Sequence, residues 1–203
     1  MFKGSNVALI TPFKDNKLDT EAYIKIIHFH LKNGTNGLVP AGTTGESPTL
    51  NHEEHQKVIE ICIKESNGKI PVIAGTGSNS TEEAISLTKH AEKAGADGAL
   101  VVTPYYNKPT QEGLYQHYKA INNNTNLPII IYNIPSRCVI DMSVDTMSRL
   151  FELKNIVGVK DATGDLNRID QTIKKLGPEF IQLTGEDGLA FEFNKRGGVG
   201  IIS

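Results

Sequence analysis

Gly98-Ala99-Leu100-Val101-Val102-Thr103 and Pro128-Ile129-Ile130-Ile131-Tyr132 are two apolar runs joined by a stretch with helical character from Thr110 to about Asn122. Neither run alternates apolar with polar residues. That continuity marks strands buried on both faces, as in a parallel sheet. Strand, helix and strand therefore form one βα repeat, and the repeat extends in both directions. Comparable runs lie at 7–13, 37–41, 71–75, 156–160, 180–184 and 198–203. Helical patterns fill the gaps. Asp19 caps a helix predicted to bury Tyr23, Ile26, Ile27 and Phe29, and Asn33-Gly34 stops it. Asn51 with Glu54 opens a second helix, which ends near Gly68. Ser80 with Glu83 reads as a capping box, ahead of a helix that buries Ala84, Leu87, Ala91 and Ala94 and stops at Gly95. Further helices are predicted over 143–151, 165–176 and 188–196.

Eight strands thus alternate with seven helices, mostly about 30 residues from one strand start to the next, the size of one βα unit. Two parallel architectures are compatible with that order, a doubly wound sheet and a (β/α)8 (TIM) barrel. A doubly wound nucleotide fold wants Gly-x-Gly-x-x-Gly after its first strand. The turn here is Thr11-Pro12-Phe13-Lys14-Asp15, and no linker or composition break divides the chain. Residues 1–203 are therefore expected to form one barrel domain. The chain stops at Gly200-Ile201-Ile202-Ser203, within what reads as a buried strand.

Composition narrows the function classes. The 203 residues carry 21 Lys+Arg against 23 Asp+Glu, a formal net charge of -2. That balance argues against nucleic acid as the main partner, which demands a basic face. Apolar residues at 38% and charged residues at 22% suit an ordinary globular protein. No apolar run approaches a membrane span, and the N-terminus lacks the pattern of a signal peptide. Cys62, in a helical pattern, and Cys138, in a loop, form no CxxC pair. Two reduced thiols in a cytoplasmic protein is the expectation.

In a barrel of this kind the chemistry lies where strands end and βα loops begin. Those ends are Thr11-Pro12; Gly42-Thr43-Thr44-Gly45-Glu46-Ser47; Gly75-Thr76-Gly77-Ser78-Asn79; Thr103-Pro104-Tyr105-Tyr106-Asn107; Tyr132-Asn133-Ile134-Pro135-Ser136-Arg137; Lys160-Asp161-Ala162-Thr163-Gly164; and Gly185-Glu186-Asp187. Lys160 closes an otherwise apolar strand. Burial disfavours an ammonium, and a neutral amine is a nucleophile able to form a Schiff base with a carbonyl. The plainer alternative is a lysine that snorkels to solvent or pairs with Asp161. Tyr132 offers a phenol for proton transfer, or is a core tyrosine with its hydroxyl at the rim. Gly42-Thr43-Thr44-Gly45 is an anion cradle or a Gly-rich turn, and lacks the Gly-Lys-Ser/Thr of a Walker A loop. Arg137 suits bidentate carboxylate binding or a surface ion pair.

Four of these strings, Gly42 to Ser47, Pro104-Tyr105-Tyr106-Asn107-Lys108-Pro109, Tyr132 to Arg137 and Gly158-Val159-Lys160-Asp161-Ala162-Thr163-Gly164, occur in this order at barrel loop positions. Together they resemble the dihydrodipicolinate synthase family (4-hydroxy-tetrahydrodipicolinate synthases) of the pyruvate-dependent class I aldolases, and the resemblance covers the whole chain. It implies that Lys160 forms a Schiff base with pyruvate. It implies a proton relay of Tyr132, Thr43 and Tyr106, the last reaching into a neighbouring subunit. Thr44 with its backbone neighbours, including Gly45, would hold the pyruvate carboxylate. Arg137 would hold the carboxylate of L-aspartate 4-semialdehyde, with Gly185 and Ile202 lining the pocket. No metal or organic cofactor is implied, and the expected assembly is a dimer of dimers. The family pattern continues past residue 203 with an eighth helix and a helical extension, so Val199, Ile201 and Ile202 are expected to be exposed and to destabilise an isolated 203-residue chain.

Lysine-inhibited members of the family use residues matching Ser47, His52, His55, Asn79, Glu83 and Tyr105, which implies an L-lysine site, although Pro48 stands where such members often have alanine. Without the resemblance, His52 and His55 are two polar residues in a first helical turn, or two metal ligands that lack an evident third. Sister aldolases, N-acetylneuraminate lyase and 2-keto-3-deoxy sugar acid aldolases, share the lysine and the Tyr-x-x-Pro strand end. Thr43 and Arg137 favour the synthase. A catalytically silent ligand-binding barrel is the alternative outside this class.

Overall fold

A computed structural model describes all 203 residues. Eight parallel strands form the sheet: β1 Gly4–Ala8, β2 Gly37–Val39, β3 Ile73–Gly75, β4 Gly98–Val102, β5 Ile129–Asn133, β6 Ile156–Asp161, β7 Ile181–Thr184 and β8 Gly200–Ile202. Each pairs with its neighbours in chain order, and β8 returns to β1 with Gly4 opposite Gly200. Between β2 and β3 the seam closes by a Leu38–Val72 bridge and by Gly75 N–H donating to the Pro40 carbonyl at 2.9 Å. The result is the expected (β/α)8 barrel.

The helices on its outside are α1 Thr20–Lys32, α2 His52–Ser66, α3 Thr81–Ala94, α4 Gln111–Asn122, α5 Val144–Phe151, α6 Asn167–Leu176 and α7 Ala190–Lys195. Local chemistry sets their starts. Asp19 accepts from Ala22 N–H, Thr110 from Gly113 N–H and Ser143 from Thr146 N–H, while Asn51 and Glu54 form a reciprocal capping box.

Alternation along each strand splits the apolar residues into two cores. Leu38, Val72, Val101, Ile129, Ile131 and Val159 face outward against helical Ile27, Ile59, Tyr118 and Leu150. Val39, Ile73, Leu100, Ile130, Leu183 and Ile202 fill the barrel interior. That interior is a packed plug, so a ligand has access only at the strand ends.

The structure corrects several expectations. The first strand is Gly4–Ala8, not 7–13, because the Gly4-Ser5-Asn6 segment pairs with β8 despite its polarity; Phe13 belongs to a small antiparallel hairpin with Leu18. Phe29 is 60% exposed, since it lines an open groove beside β1 with Val7 to Ile10 and Ile26. Ser80 caps α3, but the Glu83 carboxylate turns away to Ser78 and His52, so the box is half-formed. Cys138 ends a short helical turn, Pro135–Cys138, instead of lying in irregular loop. Ile202 is fully buried inside the barrel, and only partial exposure remains at Val199 and Ile201.

Candidate active site

β5 and β6 place Tyr132 directly opposite Lys160, both pointing into the barrel mouth. The Lys160 ammonium sits 4.2 Å from the centre of the Tyr132 ring. Lys160 is only 7% exposed. Burial lowers its pKa to about 8, against the opposing pull of Glu186 and Asp187. An appreciable fraction of the side chain is therefore a free amine near neutrality. Burial raises the Tyr132 phenol above its ordinary value, and the Thr43 hydroxyl and the Arg137 charge partly offset the rise. Tyr132 thus remains a protonated phenol able to donate and accept a proton in turn.

Space beside the lysine depends on Gly185. A Cβ there would lie 2.9 Å from Lys160 Cε and 2.9 Å from Ala162 Cβ. Facing the amine is a cavity of about 240 Å³ lined by Thr43, Thr44, Tyr132, Arg137, Gly185 and Ile202, among others. It continues into a second lobe of about 310 Å³ that shares Gly42, Thr43, Tyr132 and Arg137 and reaches Ser47, Pro48 and Tyr105.

The loop after β2 is tightly turned. Ala41 and Glu46 both adopt left-handed backbone, at φ 54° and 57°, and fold the loop back on itself. Glu46 and Ser47 N–H groups bond to the Thr43 and Gly42 carbonyls, while the N–H groups of Thr43, Thr44 and Gly45 donate to nothing in the chain. Gly45 itself packs behind the loop, where a Cβ would lie 2.9 Å from the Leu9 carbonyl oxygen, and does not line the cavity. Thr11 fixes it from the other side by donating to the Gly45 carbonyl at 2.7 Å. Arg149, Arg168 and Arg196 are engaged in ion pairs, whereas Arg137 has no such partner and faces both lobes.

Tyr106 is not part of this cluster within the chain. It is 89% exposed, held at φ 72° and absent from both lobes. Among the residues expected to bind lysine, His52 pairs with Glu83 at 2.8 Å, and Asn79 donates to the Tyr105 carbonyl at 3.2 Å. Glu83 also accepts from Ser78. Ser47 and Tyr105 share the outer lobe. His55 is buried behind them with its pKa lowered to about 4, chiefly by desolvation. The strand-end strings include Ser78 and Thr11 but foretell neither the bond of Ser78 to Glu83 nor that of Thr11 to Gly45, because a lone hydroxyl in a loop carries no signal of its partner.

Comparison with known proteins agrees with this geometry. The model of the dihydrodipicolinate synthetase family matches residues 1–203. The 4-hydroxy-tetrahydrodipicolinate synthase of Pelagibacter ubique (strain HTCC1062) is 79% identical over 203 residues, which are 100% of this chain and 69% of that protein. The chloride-inhibited dihydrodipicolinate synthase of Acinetobacter baumannii, solved with pyruvate, superposes with a TM-score of 0.98 at 52% identity over 100% of this chain and 70% of that one. The enzyme of Cyanidioschyzon merolae, solved with lysine bound, superposes with a TM-score of 0.96 at 40% identity over 100% of this chain and 70% of that one. With its motifs, its barrel and its buried lysine in the family's order, the chain belongs to the dihydrodipicolinate synthetase family.

Proposed function

We propose that this protein is a lyase of the class I aldolase type that condenses pyruvate with L-aspartate 4-semialdehyde to give 4-hydroxy-tetrahydrodipicolinate, the first committed step toward diaminopimelate and lysine. The observation that carries the mechanism is Lys160, buried, opposite Tyr132 and with a pKa near 8. Its neutral amine attacks the pyruvate carbonyl, and the carbinolamine loses water to form an imine. Loss of a methyl proton gives an enamine, whose carbon attacks the aldehyde of the second substrate. The amino group of that substrate then adds to the imine, closes the ring and releases Lys160. One water leaves overall.

Each stage moves a proton, and the Tyr132 phenol with the Thr43 hydroxyl supplies the path. We assign the third relay member to Tyr106 of a neighbouring copy; its exposure on a left-handed turn suits a residue that reaches outward. The unpartnered N–H groups of Thr43 and Thr44, which line the cavity, suit the pyruvate carboxylate, with Gly45 behind them shaping the loop, and Arg137 suits that of the semialdehyde. Gly185 and Ile202 shape the wall. Residues 1–203 act as one barrel domain in a cytoplasmic dimer of dimers, and no helix is long and apolar enough to cross a membrane. The cluster of Ser47, His52, His55, Asn79, Glu83 and Tyr105 is assigned to an inhibitory L-lysine, whose ammonium the Glu83 carboxylate suits.

A coupled assay with pyruvate and L-aspartate 4-semialdehyde tests the assignment. Turnover is expected; cleavage of sialic acid or a keto-deoxy sugar acid in its place overturns it.

A further inference from the structure

The residues that follow Tyr132 and Lys160 in their strands are polar and buried. Asn133 is fully buried and Asp161 is 8% exposed, and the two sit opposite each other in the sheet. Alternation along a strand sends Tyr132 and Lys160 into the barrel and Asn133 and Asp161 outward, beneath the helices. There Asp161 meets a guanidinium, to which Asn133 is linked through Asp141. Arg168, on α6, donates from Nε to Asp161 Oδ2 at 3.0 Å, from Nη1 to Asp141 Oδ2 at 3.2 Å, and from Nη2 to the Met142 carbonyl at 2.7 Å. Asp141 turns its other oxygen to Asn133 Nδ2 at 2.7 Å, and Asn133 Oδ1 accepts from Met142 N–H at 3.0 Å. Thr163 supplies an N–H and a hydroxyl to the second oxygen of Asp161. Arg168 and Asp161 side chains are only 12% and 9% exposed, so the fork is held in a weakly solvated setting where its geometry counts.

The same bonds tie down the segment between Ile134 and Met142, which carries Arg137. That segment includes Val139 at φ 66°, a costly conformation for a β-branched residue that persists only where the surroundings enforce it. At their ends β5 and β6 are also joined by the sheet ladder, with Tyr132 opposite Lys160 and Asn133 opposite Asp161, and by Ala162 N–H donating to the Asn133 carbonyl at 2.9 Å.

We propose that Arg168 is a positioning residue, which braces the strand ends that present Tyr132 and Lys160 and the seat of Arg137 by joining the outward side chains of Asp161 and Asn133 through Asp141. The proposal rests on Lys160 as the Schiff-base lysine. A lysine at 168 keeps the charge but lacks the planar fork that serves three acceptors at once.

The test compares wild type with Arg168→Met, Arg168→Lys and Asp141→Asn in the whole protein. It reads kcat, KM for pyruvate, the rate of borohydride trapping at saturating pyruvate, and the thermal midpoint. In Arg168→Met, kcat and the trapping rate are expected to fall together by about 10- to 100-fold, with pyruvate KM changed by less than about threefold. Arg168→Lys recovers part of the loss, and assay at lower temperature does not restore it. A folded Arg168→Met with wild-type kcat and trapping rate overturns the proposal, and so does a loss that vanishes on cooling. If Arg168→Met does not fold, Asp141→Asn, which keeps an acceptor for Asn133, is read by the same criteria. A wild type that traps no pyruvate on Lys160 overturns the Schiff-base reading instead.

Discussion

Gly185→Ala isolates the seat of the amine from the rest of the fold. The added methyl would stand 2.9 Å from Lys160 Cε and 2.9 Å from Ala162 Cβ, against about 3.5–4.0 Å for carbons at rest. Something must therefore yield by about 0.5–1 Å. Ala162 is tied into the sheet by its N–H to the Asn133 carbonyl, and Gly185 by its N–H to the Asp161 carbonyl. The lysine tail is the softest element, so Lys160 swings off its rotamer at a cost of about 0.5–1.5 kcal/mol. Stability changes little. The amine, however, leaves its line of attack, and a displacement near 1 Å costs about 100-fold in rate, or about 2.7 kcal/mol of barrier. Steady-state kinetics give kcat, thermal unfolding gives stability, and borohydride trapping reports imine formation directly. A Gly185→Ala protein with wild-type kcat and trapping rate would refute the claim that Gly185 seats the amine. A change confined to KM would reassign Gly185 to substrate contact alone.

Other outcomes follow from the same geometry. Lys160 has its pKa lowered from 10.5 to about 8, so the fold resists its protonation; stability declines as pH falls from about 10.5 to about 8 and stays at the lower level below that. Lys160→Met should abolish activity while raising stability at pH 7 by on the order of 1–3 kcal/mol, measured by denaturant unfolding; a destabilised variant would contradict this. Trapping by pyruvate should accelerate as pH rises through about 8 and then level off, a profile checked by single-turnover rates. Tyr132→Phe should still trap pyruvate but lose about 10²- to 10⁴-fold in kcat, and a loss under about threefold would remove it from proton transfer. His117 is buried, with its pKa lowered to about 4 by desolvation, so it favours the fold above pH 6.5 and that contribution is lost between pH 6.5 and 4. His117→Phe, which preserves an edge contact with Tyr118 but drops the bond to Thr81, should lessen the acid limb of thermal stability without removing it, since His55 has the same lowered pKa of about 4; an unchanged limb would exclude His117 as a contributor.

Legibility of the sequence follows burial. A lysine at the end of Ile156-Val157-Gly158-Val159 breaks a run that otherwise marks a strand covered on both faces, so Lys160 is conspicuous in the sequence itself. Tyr132 is conspicuous for the same reason. The repeat points to the barrel, because parallel strands inside two layers leave long apolar runs. β1 is harder to place, because Gly4, Ser5 and Asn6 are small or polar and owe their strand conformation to pairing with β8. Phe29 lies outside the buried face because a one-sided helix pattern does not mark where the covered face ends. Arg168 carries no signal at all. On α6 it reads as one more charged helix residue, and only the convergence of Asn133, Asp141 and Asp161 in space reveals what it holds. Spatial partners of that kind, like Ser78 with Glu83, lie outside what periodicity can encode.

The most direct test of Lys160 as the nucleophile is reduction of the protein with borohydride in the presence of pyruvate, followed by peptide mass mapping. A reduced pyruvate adduct on Lys160, absent without pyruvate and absent in Lys160→Ala, is the predicted result. An unmodified Lys160, or an adduct that survives the substitution, would contradict it.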